Sequence, residues 1–205
     1  MILDLFKLDG KVAMVTGGGR GLGKAMAKAL AEAGADIAIV GRQLPYLERT
    51  AEEIRVLGRR VLPLAADITK YEEVKKITSL ALNYFGKIDI LVNNAGMGQD
   101  KPALEVSLAE WDEIIALNLR AIFLCSKTIG THMVERREGK IINVSSMYAF
   151  TGAPYMSAYC ASKGGVLHFT RALALEWAPY NVQVNTICPG YFLTDINRDL
   201  FNSEK

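Results

Sequence analysis

Two stretches of the chain place a tyrosine four residues before a lysine, a spacing that suits proton transfer. Tyr159 and Lys163 lie in SAYCASKGG, whereas Tyr71 and Lys75 lie in YEEVK. Residues at i and i+4 share one face of a helix. A free phenol has a pKa of about 10, and a neighbouring ammonium lowers it toward the range in which a base works near neutral pH. Because the spacing occurs twice, the surrounding sequence has to decide between the two pairs.

The elements that would position these pairs alternate between short apolar runs and amphipathic segments. We predict strands over 12–16, 37–40, 61–66, 88–92, 141–144 and 182–188. We predict helices over about 22–34, 44–58, 70–86, 107–137 and 159–178. This alternation is typical of a parallel sheet with helices on both faces, and right-handed crossovers make it a doubly wound α/β sheet, a Rossmann fold. We expect residues 1–205 to form a single nucleotide-binding domain.

Residues with potential chemistry cluster directly after the predicted strands. The carboxyl ends of parallel strands share one edge of the sheet, where ligands bind. Tyr159 opens the helix after the fifth strand and belongs to this edge. Tyr71 opens the helix after the third strand, farther from the point where the strand order reverses. We therefore predict that Tyr159 is functional and that Tyr71 lies in the first turn of a surface helix.

The loop TGGGRGLG after the first strand has the composition of a phosphate-binding turn. Its glycines at 17, 21 and 23 follow the pattern G-x-x-x-G-x-G instead of G-x-G-x-x-G. Glycines permit a sharp turn and a close approach of the backbone to a pyrophosphate at a helix N-terminus. A glycine-rich turn without a ligand is the alternative. The predicted cofactor contacts of this loop are Gly17, Gly19, Arg20, Gly21, Leu22 and Gly23.

The residues after the second strand indicate which nicotinamide cofactor is preferred. A carboxylate there would bind the adenosine ribose and repel a 2′-phosphate, but the chain has Gly41 followed by Arg42. Arg20 lies nearby in the glycine loop. Two guanidinium groups favour a phosphorylated ribose, so we predict a preference for NADP(H), with NAD(H) as the other option.

Composition narrows the class of protein further. The net charge of +2 and the 50% hydrophobic content favour a globular protein without a nucleic-acid partner. The charge-free apolar runs are shorter than the roughly 20 residues of a membrane span, so we expect no membrane partner. Three cysteines form an odd count, which suits a reducing, cytoplasmic location. Two isolated histidines predict no metal site.

Taken together, the motifs resemble the short-chain dehydrogenase/reductase family across essentially the whole chain. The matching pieces are TGGGRGLG, Asp67-Ile68, NNAG at 93–96, Asn118 in LNLRAIF, Ser146, YCASK and CPGYFLT at 188–194. Ser146 lies 13 residues before Tyr159, which is the spacing this family shows, and Tyr71 has no such partner. The resemblance therefore favours Tyr159 and Lys163 as the functional pair.

The resemblance implies a catalytic set and further cofactor contacts. The catalytic set would be Asn118, Ser146, Tyr159 and Lys163. The cofactor would contact Tyr159 and Lys163 as well as Asp67, Ile68, Asn94, Ala95, Gly96, Pro189, Gly190 and Thr194. Tyr159 would exchange the proton, Ser146 would hold the substrate oxygen, Lys163 would lower the pKa of Tyr159, and Asn118 would hold a water molecule. The structural alternatives are a capping Ser146, a core Asn118 and a surface Lys163.

The substrate predicted from the resemblance is a secondary alcohol or ketone on a sugar acid or polyol such as gluconate. The predicted contacts with this small molecule are Ser146, Met147, Tyr155, Tyr159 and Tyr191. Lys101 in MGQDKP is a candidate to meet a carboxylate. One alternative is a 3-oxoacyl-[acyl-carrier-protein] reductase whose Arg136 and Arg137 dock the carrier. A more remote one is a nicotinamide-binding protein without catalysis.

The chain departs from the family pattern in length. Family members usually run to about 250 residues, whereas this sequence ends at Lys205, inside a substrate lid that would begin near residue 190. We expect the native chain to continue, because the lid and the last strand of the sheet are missing from the sequence. The family also predicts a homotetramer, or else a dimer, that pairs the helices at about 107–137 and 159–178.

Overall fold

Six parallel strands form one sheet in the computed structural model, which describes residues 1–193. The strands are β1 (Val12–Thr16), β2 (Asp36–Gly41), β3 (Val61–Ala65), β4 (Ile90–Asn93), β5 (Gly139–Val144) and β6 (Val182–Ile187). Their order across the sheet is β3-β2-β1-β4-β5-β6. The strand order therefore reverses between β1 and β4, which confirms the predicted doubly wound arrangement.

Six helices connect these strands. They are α1 (Gly21–Glu32), α2 (Leu44–Val56), α3 (Tyr71–Phe85), α4 (Leu108–Ile115), α5 (Ala121–Arg136) and α6 (Ser157–Trp177). A π-helical turn at Ala116–Arg120 joins α4 to α5. Short 3-10 turns lie at Ile2–Phe6, Ala103–Glu105, Met147–Ala149 and Ala178–Tyr180. The predicted helix at 107–137 is thus one rod with an irregular turn in its middle.

Helices pack on both faces of the sheet because successive strand residues point to opposite sides. Met14 of β1 faces a core that contains Val74 of α3, Ile129 of α5 and Leu173 of α6. The neighbouring residue Val15 faces a second core, to which α1 and α2 contribute apolar side chains. Both sides of the sheet are therefore dry, and its carboxyl edge is left for polar groups.

The fourth strand begins two residues later than the sequence predicts. The buried Asp89 accepts a hydrogen bond from the Val12 backbone N–H at 2.9 Å through its side chain. Arg136 and Lys87 both form ion pairs with this carboxylate. Asp89 thus meets polar groups at the start of the sheet, and the regular pairing of β4 with β1 begins at Ile90.

Among residues 1–193, one helical rod, Leu108–Arg136, is long and apolar enough to cross a membrane by length and composition. Half of the most apolar stretch of this rod is buried inside the protein. Leu124, Ile129 and Met133 of this rod belong to the core beneath the sheet. Packing against the sheet accounts for the apolar character of the rod, because a helix buried in a core has apolar side chains over most of its surface.

Candidate active site

A cavity of about 640 Å³ opens at the carboxyl edge of the sheet. It brings together the segments that follow all six strands, as the sequence predicts. The predicted cofactor residues that line it are Gly17, Gly19, Arg20, Gly21, Leu22, Gly23, Arg42, Asp67, Ile68, Asn94, Ala95, Gly96, Tyr159, Lys163, Pro189 and Gly190. Ser146, Met147 and Tyr191 line it as well. Thr194 lies outside the described residues, as does most of the predicted lid.

The glycine loop packs too closely for side chains at two positions. A Cβ atom on Gly23 would lie 2.2 Å from the Gly17 carbonyl oxygen, and one on Gly17 would lie 2.8 Å from Asn94 Nδ2. Asn94 Nδ2 in turn donates to the Thr16 carbonyl at 3.0 Å. Arg20, the N-cap of α1, does not bond the first turn with its side chain. The loop therefore presents open backbone and a helix N-terminus to the cavity, which fits a pyrophosphate.

Both predicted guanidinium groups lie at the end of the cavity formed by α1, β2 and β3. Arg20 and Arg42 are exposed and line the cavity. The Arg20 guanidinium carbon lies 6.0 Å from the centre of the Tyr46 ring. Burial alone would raise the pKa of Asp67, but hydrogen bonds from Thr69 and the charge of Arg42 help to bring it below its ordinary value. A carboxylate at the end of β3, and not of β2, is therefore near enough to Arg42 for its pKa to be lowered by that charge.

Ser146, Tyr159 and Lys163 meet where β5 ends and α6 begins. Tyr159 and Lys163 lie one turn apart on α6, with the Lys163 Nζ atom 5.6 Å from the centre of the Tyr159 ring. The ammonium donates to the Val144 carbonyl at 2.9 Å. The Ser146 side chain lies close enough to the Tyr159 phenol to lower its pKa. It also accepts from the Tyr148 N–H at 3.2 Å, so it caps a 3-10 turn as well as facing the tyrosine.

Burial dominates the acid–base properties of this cluster. Burial raises the pKa of Tyr159, while the nearby Ser146 side chain acts in the opposite direction. Burial lowers the pKa of Lys163 from 10.5 to about 8, because only 4% of this side chain is exposed. The predicted lowering of the Tyr159 pKa by Lys163 and a bound nicotinamide stays a prediction, because burial is the largest influence on this phenol in the protein alone. The loss of solvation of the phenolate outweighs the influence of Ser146. The Lys163 ammonium bonds the Val144 carbonyl.

Asn118 lies behind the cavity wall and is fully buried in the π-helical turn. Its Oδ1 accepts from the Met97 N–H and its Nδ2 donates to the Met97 carbonyl, both at 2.9 Å. The same Nδ2 donates to Ser162 Oγ at 3.1 Å. The interruption of the helix at Asn118 is present as predicted. Its side-chain amide also braces the loop after β4 against α6, and its predicted contact with a water molecule stays a prediction.

Two residues considered for substrate contacts lie outside the cavity. Tyr155 does not line the cavity: its backbone has a left-handed φ of 64°, its side chain is 56% exposed, and its carbonyl accepts from the Lys101 N–H. Lys101 does not line the cavity either, because its ammonium bonds both oxygens of Glu110 at 2.8 and 2.9 Å. Tyr71 is likewise outside the cavity, and its neighbour Lys75 pairs with Glu72.

Sequence reasoning missed Tyr148, which lies beside the predicted tyrosine. Its ring lies edge-on to the Tyr159 ring at 6.4 Å, and its hydroxyl hydrogen-bonds the Tyr191 hydroxyl. That hydrogen bond is the main cause that raises the pKa of Tyr148 to about 12, so this phenol is neutral at physiological pH. Nothing in the local pattern indicates Tyr148, because the direction of a side chain in a short turn depends on its tertiary surroundings.

The doubly wound sheet, the open glycine loop and the Ser–Tyr–Lys cluster define a nicotinamide-dependent oxidoreductase. The chain belongs to the short-chain dehydrogenase family, whose model matches residues 11–205. The chain is thus an NAD(P)-dependent oxidoreductase that acts on a small molecule.

Known relatives carry related names. The chain is 44% identical over 206 residues to a 2-dehydro-3-deoxy-D-gluconate 5-dehydrogenase of Escherichia coli K12, covering 100% of this chain and 81% of that protein. A structure from Beutenbergia cavernae, named as an NAD(P)-dependent gluconate 5-dehydrogenase with NADP at low occupancy, has a TM-score of 0.91 and 38% identity over 97% of this chain and 79% of its own. The structure of an NAD⁺-bound xylitol dehydrogenase has a TM-score of 0.88 and 36% identity, and the match covers 90% of this chain and 72% of that one.

Proposed function

We propose that this protein interconverts a secondary alcohol and a ketone on a sugar acid or polyol such as gluconate, with NADP(H) as the preferred cofactor. The observation that carries the proposal is the meeting of Ser146, Tyr159 and the buried Lys163 beside the glycine-loop cavity. The names of the relatives support a sugar acid or sugar alcohol as the substrate.

In this proposal Tyr159 exchanges a proton with the substrate oxygen, while the Ser146 hydroxyl holds that oxygen by a hydrogen bond. Burial raises the pKa of Tyr159, so the phenol is protonated near neutral pH and can donate during ketone reduction. Lys163, with a pKa of about 8, is charged at pH 7 and places its ammonium beside any phenolate that forms. A nicotinamide held by the glycine loop would supply the hydride for ketone reduction or accept it in alcohol oxidation, while Tyr159 exchanges the proton.

The preference for NADP(H) rests on Arg20 and Arg42 at the adenosine end of the cavity. A guanidinium binds a phosphate with two parallel hydrogen bonds. Arg42→Asp should lower kcat/KM for NADP⁺ by about 10-fold or more and leave the value for NAD⁺ within about threefold. Arg49→Asp is the matched control, because Arg49 also lies near the Tyr46 ring, 5.9 Å from its centre, but does not line the cavity. Equal losses in the two variants would contradict the assignment of Arg42.

The side chains on the substrate side of the cavity suit the hydroxyl groups of a substrate better than a charged group. Met147, Tyr148 and Tyr191 line it, and the two phenols offer donors and acceptors to a polyhydroxy chain. The carrier-protein alternative depends on two basic residues that already bond carbonyls of this chain. Arg136 donates to the Ile88 carbonyl at 2.9 Å, and Arg137 donates to the Pro179 carbonyl at 2.6 Å.

The direct test follows the absorbance of reduced nicotinamide with the full-length protein. Gluconate, 2-dehydro-3-deoxygluconate and xylitol would be offered with NADP⁺ or NAD⁺, and a 3-oxoacyl thioester with NADPH. We expect turnover of a sugar substrate that Tyr159→Phe abolishes and Tyr71→Phe leaves unchanged, since Tyr71 has the same four-residue spacing outside the cavity. Reduction of the thioester alone would favour the carrier-protein alternative. Tight NADPH binding without any turnover would favour a non-catalytic protein.

We also propose that residues 1–205 form a single domain and that the full-length protein is a homotetramer, with a dimer as the alternative. Exposed apolar side chains on the two long helices support assembly, among them Phe123 of α5 and Leu175 of α6. The molar mass from light scattering distinguishes these states.

A further inference from the structure

Gln99, on the loop after β4, reaches across the cavity edge to the first turn of α6. Its Oε1 accepts from the backbone N–H groups of Ala158 at 2.8 Å and of Tyr159 at 3.3 Å. Met156, the N-cap residue of α6, makes no side-chain hydrogen bond to this turn. Helix N-termini need such acceptors for their unpaired N–H groups. Gln99 therefore caps α6 from a distant part of the chain.

The backbone of Tyr159 is thereby held on both sides. Its N–H bonds Gln99, and its carbonyl accepts from Ser162 Oγ at 2.7 Å. Ser162 also accepts from Asn118, which bonds both backbone groups of Met97 in the same loop as Gln99. The loop after β4 thus contacts the backbone around Tyr159 by two separate routes.

We propose that Gln99 is a positioning residue, which fixes the first turn of α6 and so holds the Tyr159 phenol in place beside Ser146. This inference rests on the proposed function, in which Tyr159 exchanges the proton. Small displacements of a reacting group can cost a large factor in rate. Met97 and Gly98 of the same loop line the cavity, so this loop contacts the binding space and the proton-exchanging residue at once.

A neutral acceptor suits this position better than a charged one. A carboxylate would cap the helix N-terminus at least as well, because the helix dipole favours an anion there. Its negative charge would, however, further disfavour ionisation of Tyr159. The groups that already surround this phenol are Ser146, Cys160, Lys163 and Tyr148. Replacing glutamine by glutamate therefore separates the capping role from the need for neutrality.

The test compares three variants of the full-length protein by kcat, KM, cofactor affinity and pH profile. Gln99→Leu removes the acceptor, and we expect kcat to fall by at least about tenfold while the Kd for the cofactor changes by less than about twofold. Gln99→Glu keeps the acceptor, so we expect kcat to recover at high pH, with the alkaline-rising limb for alcohol oxidation displaced to higher pH. Ser107→Ala is the matched control, because it removes the cap of a different helix, α4.

Three results would overturn the inference: an unchanged kcat in Gln99→Leu, an equal loss in Ser107→Ala, or a Gln99→Glu variant as inactive as Gln99→Leu at every pH. Thermal unfolding of each variant identifies any that fail to fold. If Gln99→Leu fails to fold, Gln99→Glu still tests the inference, because glutamate keeps the acceptor that caps α6. Tyr159→Phe separates this inference from the proposed function. Retained activity in Tyr159→Phe refutes the function, whereas an inactive Tyr159→Phe with a fully active Gln99→Leu refutes the positioning role alone.

Discussion

Replacement of the buried Lys163 by methionine should stabilise the protein while it abolishes activity. Burial lowers the pKa of this lysine from 10.5 to about 8. At 1.36 kcal/mol for each pH unit, the charged form costs the folded state about 3 kcal/mol. Methionine fills a similar volume but loses the hydrogen bond to the Val144 carbonyl, which is worth about 1 kcal/mol. The expected net gain at pH 7 is about 2 kcal/mol.

The stabilisation by this replacement should depend on pH in a defined direction. Between pH 8 and pH 10.5 the unfolded chain binds more protons at Lys163 than the folded protein does, because the folded-state pKa is the lower one. The cost of burying the lysine is therefore fully present below pH 8 and disappears as the pH rises above 10.5. The difference in stability between Lys163→Met and the unmodified protein should shrink across the same window and become slightly unfavourable to the variant.

Urea unfolding without added nucleotide, at fixed protein concentration from pH 7 to pH 10.5, measures this difference. For a chain of this size, about 2 kcal/mol corresponds to a rise in Tm of about 4 to 8 °C, which provides a second readout. The kcat/KM of Lys163→Met should fall by at least about 100-fold. A variant that is no more stable than the unmodified protein at pH 7, or whose advantage is independent of pH, would refute the reasoning from burial.

Two further replacements test the cofactor loop and the brace behind the cavity. Gly23→Ala should weaken NADPH binding by at least about tenfold, measured by nucleotide fluorescence, because its Cβ would lie 2.2 Å from the Gly17 oxygen. Gly152→Ala, which meets nothing within 4 Å, should leave binding unchanged. Asn118→Ala should lower the free energy of unfolding by about 2 to 4 kcal/mol, because it leaves the N–H and carbonyl of Met97 without their partner. A cooperative unfolding curve that coincides with the unmodified one would contradict this.

Much of the fold follows from local patterns. Short apolar runs that alternate with amphipathic segments predict a parallel sheet, and the handedness of the crossovers restricts its topology. The predicted ends of individual strands were less accurate than the predicted order of strands and helices. The regular pairing of β4 begins at Ile90, and the buried Asp89 before it meets an amide of β1 and two cationic side chains. These contacts join residues far apart in the chain, so no local pattern reports them.

For the candidate site, too, the sequence predicts some residue positions correctly and others not. The carboxyl ends of parallel strands meet at one edge, so the positions of the glycine loop, Asp67 and Ser146 follow from the strand order alone. Tyr155 was predicted to contact the substrate and Lys101 was a candidate to meet a carboxylate. Both lie outside the cavity, because Tyr155 has a left-handed backbone conformation and Lys101 pairs with the Glu110 carboxylate. Irregular loops have no periodicity from which the direction of a side chain can be read.

The sequence by itself determined which groups meet. The four-residue spacing puts Tyr159 and Lys163 on one helix face, and the parallel strand order brings Ser146 to the same edge. Only the tertiary structure decided how these groups behave, because solvation depends on everything packed around them. Burial raises the pKa of the tyrosine and lowers that of the lysine. The amide of Gln99, which no motif indicates, holds the first turn of their helix.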